Sequence, residues 1–222
     1  MACAAGSAIM RLYNRGMTHT FRLLATLLTL AMLSAIGVGF WSFSLPHDSE
    51  FWANIFIVHY FLGLFTAIGI LFVHCLIFIY FLGTGRWVKE VTLAYQMPDA
   101  PNHKRTRELK RAAFPPALFS MLIGVATAAA GAGAQLQEWP WYVHMSLAFT
   151  TLLVNLWAFR IEYRCVAENA QVIRAVMDEV ERIRREQGLC TNDEALVSRD
   201  AESAERSAGF TSRSAPQTPR RG

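Results

Sequence analysis

The sequence predicts an all-α integral membrane protein: a four-transmembrane-helix bundle with helical cytoplasmic extensions and a disordered C-terminal tail. Three observations carry this reading. The 222 residues are 53% hydrophobic and only 17% charged, against about 25% charged in soluble domains. The charges are also clustered. Between Arg22 and Arg86 only Asp48 and Glu50 are charged, and no charge occurs from Ala112 to Gln137 or from Trp139 to Phe159. Finally, four apolar stretches reach the roughly 20 residues that a helix needs to cross the hydrocarbon. An ordinary soluble enzyme, a secreted disulfide scaffold and a wholly disordered chain are excluded.

Residues 1–20 form an N-terminal cytoplasmic segment. Its opening, MACAAGSAI, carries no pattern, and Met10 and Met17 are alternative starts. A basic segment before an apolar run suggests a signal peptide, but such a peptide has an apolar core of only about 7–15 residues and a small-residue cleavage site. Neither fits here, so the segment reads as an anchor. The membrane domain covers 21–165, with spans at about 23–41, 55–83, 117–136 and 141–159. The second apolar stretch, Phe51 to Gly83, is too long for one span and must tilt or project. Pro115-Pro116 open the third span, where a first helical turn needs no amide donor. The third span's GVATAAAGAGA lets a neighbouring backbone approach closely. Trp41, Phe51, Trp52, Trp139, Trp141 and Tyr142 mark one set of ends and Tyr80, Trp87 and Tyr163 the other, the aromatic belts of a bilayer.

Between the second and third spans lies a cytoplasmic loop, 84–113. Gly83-Thr84-Gly85 lacks the strand, third glycine and Lys-Ser/Thr of a phosphate loop and reads as a glycine break at the interface. Beyond it, Val88, Val91 and Tyr95 keep helical spacing, so the second helix continues toward Pro98. After the fourth span, 166–190 forms a cytoplasmic amphipathic helix. Val166, Asn169, Ile173, Val176, Val180 and Ile183 make an a/d seam with one polar member. That seam packs either on Val88, Val91 and Tyr95 of the same chain or, as a short coiled coil, on a second copy or a partner protein. Gly188 is its stop. Residues 191–222, rich in Ser, Ala, Pro and Arg, have almost nothing to bury and are expected to be disordered.

Charge sets the orientation. All 21 Lys and Arg residues lie before the first span, in 84–113 or after the fourth span, while the two opposite loops carry three acids and no base. By the positive-inside rule the protein sits in the cell (inner) membrane with both termini cytoplasmic. The basic surface is suited to anionic membrane lipid. No nucleic-acid-reading motif accompanies it. Cys3, Cys165 and Cys190 fall on the reducing side and Cys75 within the second span, so no structural disulfide is expected.

No Asp, Glu, Lys or Arg lies inside any predicted span, which leaves His59, His74 and His144 as the ionisable groups there. His59 is followed at +4, +7 and +11 by Gly63, Thr66 and Ile70, and His144 at the same offsets by Ala148, Thr151 and Asn155. Two parallel helices therefore present a histidine with a small residue one turn below it. Bis-imidazole ligation of haem iron in a bundle needs such opposed histidines and room for the macrocycle. Measured from Trp52 and Trp141, however, the two histidines differ in depth by roughly 6 Å at 1.5 Å per residue. His74 faces no histidine on the fourth helix, where Ala158 and Phe159 lie at its depth. His19, at the cytoplasmic edge, is the only substitute for a second site.

This layout resembles the small four-helix b-type cytochromes of bacterial respiratory chains, such as the cytochrome b subunit of nickel–iron hydrogenase. The likeness rests on His59 and His144, with His74 and His19, and on the four spans. It implies haem b held by intramembrane His pairs, two haems in that family, and electron passage between quinone and a partner protein. Two functional readings stand side by side. One is a non-catalytic membrane component acting through partner contacts at Val166–Ile183. The other is a b-type electron carrier with His59 and His144 as axial ligands.

The orientation is testable directly. A reporter inserted near Asn102 is expected to behave as cytoplasmic and one near Ser49 as external. An external signal at Asn102 overturns the orientation, because the seven Lys and Arg residues of 84–113 are its main support.

Overall fold

The computed structural model describes residues 2–46, 49–99 and 101–189, with side chains from Met17 onward. The expected disordered tail, 191–222, lies outside the described residues, as do the side chains of His47, Cys3 and Cys190. Four helices follow in order: α1 (Ala2–Phe43), α2 (Glu50–Ala94), α3 (Asn102–Gln135) and α4 (Trp141–Glu186). All four are long and apolar enough to cross a membrane. The chain divides into two compact units, Asn14–Val176 and a second that comprises Met1–Tyr13 with Met177–Gly222. In the second unit Arg182 pairs with Glu179 and Glu186 along one helical face.

Local chemistry explains the helix ends. Ser49 caps α2 by accepting a hydrogen bond from the Trp52 amide at 3.1 Å, and Glu50 in the first turn suits the helix dipole. Helices α2, α3 and α4 end in the same double hydrogen-bond motif. The amides of Met97, Glu138 and Leu189 reach back to the carbonyls of Thr92, Gly133 and Arg184. The residue that must turn left-handed is Gly188 in α4, but Gln96 (φ 52°) and Gln137 (φ 60°) in the other two. Gly188 thus stops α4 as its sequence predicts.

Two sequence expectations change. Gly83-Thr84-Gly85 does not break α2, which runs unbroken to Ala94. Gly85 faces α3, where a Cβ would make ordinary contact with the Thr106 methyl at 3.7 Å. Nor do Pro115-Pro116 open a helix. They sit inside α3, which begins at Asn102. Each proline removes one backbone hydrogen bond, and the amphipathic turn before them holds through Leu109 and Ala113, both in the core.

Side-chain contacts define the bundle. Phe21 meets Phe159 and Phe40 meets Phe149 between α1 and α4. Phe114 of α3 packs on Phe78 and Phe81 of α2, and Gly124 admits Ile70, whose atoms would lie 3.2 Å from an added Cβ. The parallel helices α2 and α4 meet across the centre. The buried core runs through Leu28, Met32, Ile70, Val73, Ile77, Phe81, Leu109 and Val166. Outward face Leu30, Leu33, Phe61, Phe65, Ile68, Ile79, Leu122 and Leu153, all exposed. So much outward apolar surface suits lipid and not water.

Past the apolar spans the bundle continues. Asn169 of α4 donates to the Tyr80 hydroxyl at 3.1 Å and to Thr84 Oγ1 at 3.0 Å. Val166, Asn169 and Val176 are buried, and so is Val88 on α2. Within Asn14–Val176 the predicted seam is thus filled from inside the chain. Asn169→Ala is expected to lower unfolding stability in detergent by about 1 kcal/mol, two interhelical bonds at the usual membrane-protein value. Gln171→Ala, on the exposed side of the same turn, should stay within about 0.5 kcal/mol.

Candidate functional site

Each helical hairpin builds the same small device. In the first, His59 of α2 lies against Gly39 of α1, and its Nδ1 is 3.0 Å from the Ala35 carbonyl. In the second, His144 of α4 lies against Gly131 of α3, with Nδ1 3.0 Å from the Thr127 carbonyl. In both cases the glycine follows the accepting residue by four, one helical turn. A Cβ on Gly39 would fall 2.8 Å from His59 Cε1, and one on Gly131 would fall 2.9 Å from His144 Cε1. Only a glycine admits either ring edge.

The carbonyl fixes the tautomer. A carbonyl oxygen only accepts, so Nδ1 carries a hydrogen in both rings, and Nε2 is the nitrogen left for a ligand. The two imidazoles then meet across the bundle with centroids 6.1 Å apart and planes at 79°. The depth difference read from the tryptophans therefore does not keep the two rings apart.

This donor set fits haem iron. An iron bonded at about 2.0 Å to one nitrogen of each ring, the usual distance for a His-bound metal, sets ring centroids about 6 Å apart. Metal-ligating histidines also anchor their other nitrogen on a carbonyl or carboxylate. Both rings are only half-buried, and a Cβ added at Gly63, one turn below His59, would meet nothing within 4 Å.

A second polar cluster lies deeper in the bundle, and sequence reasoning missed it. His74 is fully buried. Its Nδ1 is 2.7 Å from Glu162 Oε1 and its Nε2 3.0 Å from Asn155 Oδ1. Phe159 stacks on its ring at 5.4 Å. Both nitrogens are thus occupied, the aromatic side chain fills the place of a facing ligand, and His19 is exposed. The arrangement offers His74 no partner for a second haem. Glu162 lies three residues beyond the predicted fourth span and is nevertheless fully buried, so the buried interior of the bundle extends past the apolar run. The signal lay in the seam that begins at Val166: continued backwards in steps of three and four, it runs through Glu162, Asn155 and Thr151 to His144.

His103 pairs with Asp99 in the connection between α2 and α3, and that contact holds the Asp99 carboxyl below its ordinary range, chiefly by hydrogen bonding. No cluster of three metal-ligating side chains occurs among the described residues. The chain matches no protein-family model, and no curated protein or solved structure is detectably similar to it.

The glycine notches give a sharp comparison. Gly39→Ala and Gly131→Ala must each displace an imidazole, and overpacking of this kind costs about 1–3 kcal/mol. Gly37→Ala and Gly63→Ala, where an added Cβ meets nothing within 4 Å, are expected to leave thermal stability unchanged or slightly raised.

Proposed function

We propose that this protein is a membrane-embedded b-type haem protein that carries single electrons, with His59 and His144 as axial ligands. One observation carries the reading: two imidazoles from diagonal helices, each held by its own hairpin's carbonyl, present their rings to each other at 6.1 Å. A pair of histidines serving only to specify packing has no need of two matching glycine notches. Bound haem would supply one-electron chemistry at its iron. The chain's contribution is to hold both rings by Nδ1 donation, which raises the basicity of the ligating nitrogens. It also surrounds them with apolar helices. Gly63 and Ala148, one turn below the histidines, add little side-chain bulk there. The fully engaged His74 supports one haem in place of the pair implied by the cytochrome resemblance.

The test is optical. Protein purified from cells supplied with haem is expected to show a Soret band and sharp α and β bands on reduction. Either His59→Ala or His144→Ala should abolish them, because each removes one axial ligand. His103→Ala and His74→Ala should retain them, with haem near one per chain. A colourless preparation, or a spectrum indifferent to both ligand substitutions, overturns the proposal.

A further inference from the structure

The haem-ligand pair and the deep cluster are joined by hydrogen bonds. The Thr127 carbonyl accepts from His144 Nδ1. The Thr127 hydroxyl lies 2.6 Å from that of Thr151. The Thr151 carbonyl accepts from Asn155 Nδ2 at 2.9 Å, and Asn155 Oδ1 faces His74 Nε2. His74 Nδ1 ends the chain at Glu162 Oε1.

Counting hydrogens fixes what the end of that chain holds. Asn155 donates through Nδ2, so its Oδ1 is the acceptor toward His74, and His74 Nε2 must carry a hydrogen. The 2.7 Å contact between Nδ1 and Glu162 Oε1 needs another. His74 and Glu162 therefore share one acidic proton and are neutral as a pair. The second carboxyl oxygen, Oε2, is buried with no partner among the described residues, as are Asn169 Oδ1, Ser120 Oγ and Thr106 Oγ1. Asn169 lies two turns beyond Glu162 on the same face of α4, toward the basic end of the bundle.

We propose that the His74–Glu162 pair is an internal proton-binding site, loaded and emptied at Glu162 Oε2 from the basic end, whose occupancy follows the electron held between His59 and His144. The inference rests on the haem reading above. Were haem held by His59 and His144, loss of one electron there would add one positive charge, and the His74–Glu162 pair would release part of its shared proton, at most about a third for a fourfold change in affinity. Return of the electron from a one-electron donor would restore both the charge and that fraction of the proton. A lone carboxylate in this core is costly, and the distant positive charge offsets only a small part of that cost. The separation is about 22 Å along α2. At an effective dielectric constant of about 20, that interaction changes the pair's proton affinity about fourfold.

Titratable groups on the helices around this end of the bundle are Cys165, Arg160 and Tyr163 on α4, Arg22 on α1, Tyr80 on α2 and Arg105 on α3. Arg22, Arg160 and Tyr163 line a cleft of about 430 Å³ beside Phe159, the Tyr80 hydroxyl accepts from Asn169, and Arg105 is ion-paired with Glu168.

The experiment uses the full-length haem-loaded protein. In potentiometric titrations with soluble mediators the midpoint potential is expected to fall as pH rises, flattening on either side. The total fall is about 35 mV, the fourfold change at about 59 mV per tenfold. Glu162→Gln should remove this dependence, and Asn155→Leu should alter it while leaving the ligands in place. Reduced-minus-oxidised infrared spectra of protein carrying isotope-labelled glutamate should show one carboxyl change, absent in Glu162→Gln. If that variant does not assemble, the labelled wild-type spectrum decides. Haem binding with a flat potential and no glutamate signal overturns the inference while leaving the haem reading intact. Protein that binds no haem overturns the reading on which it rests.

Discussion

Lipid cannot hydrogen-bond to a side chain, and this constraint orders the interior of the protein. A polar group inside the spans is costly unless it finds a partner on another helix or on its own backbone. The threonines of α1, α2 and α4 solve this locally by bonding the carbonyl four residues back, as Thr26, Thr66 and Thr150 do, and Asn155 Nδ2 does the same. The longer histidine, amide and carboxylate groups also reach across to other helices, as His59, His74, His144 and Asn155 do.

The two halves of the interior are built differently. Toward the basic end, Phe81, His74, Asn155, Glu162 and Asn169 are fully buried, and packing is close around a polar thread. Toward the short-loop end His59 and His144 are only half-buried, with no comparable group of large buried side chains around them. The dense end keeps the helices in register.

The hairpins also behave as repeated units. Ala35, Gly39 and His59 correspond in role to Thr127, Gly131 and His144, although the intervening segments differ in length. What repeats is a carbonyl, a missing Cβ one turn later and a ring on the returning helix. Thr127 departs from Ala35 in one respect that matters. Its hydroxyl reaches Thr151, so only the second hairpin continues the hydrogen-bonded chain toward His74. That asymmetry links the ligand site to the buried carboxyl on one side alone.

Much of this was legible from residue order. Hydropathy and charge spacing gave four spans, because lipid burial demands long apolar runs whatever the tertiary arrangement. The offsets after His59 and His144 placed two histidines on matching faces, since helix periodicity is local. The a/d seam marked which face of α4 turns inward. Other features are not properties of a single helix. Which carbonyl receives each Nδ1, and which glycine admits each ring, depends on how α1 sits against α2 and α3 against α4. The meeting of the two rings depends on how the two hairpins pack. The seam continued backwards puts Asn155 and Glu162 on the inward face of α4, but their joining His74 is set by how α2 lies against α4. Sequence determined the helices and their inward faces; tertiary packing alone decided which inward groups touch, because those contacts join residues 81 and 88 positions apart.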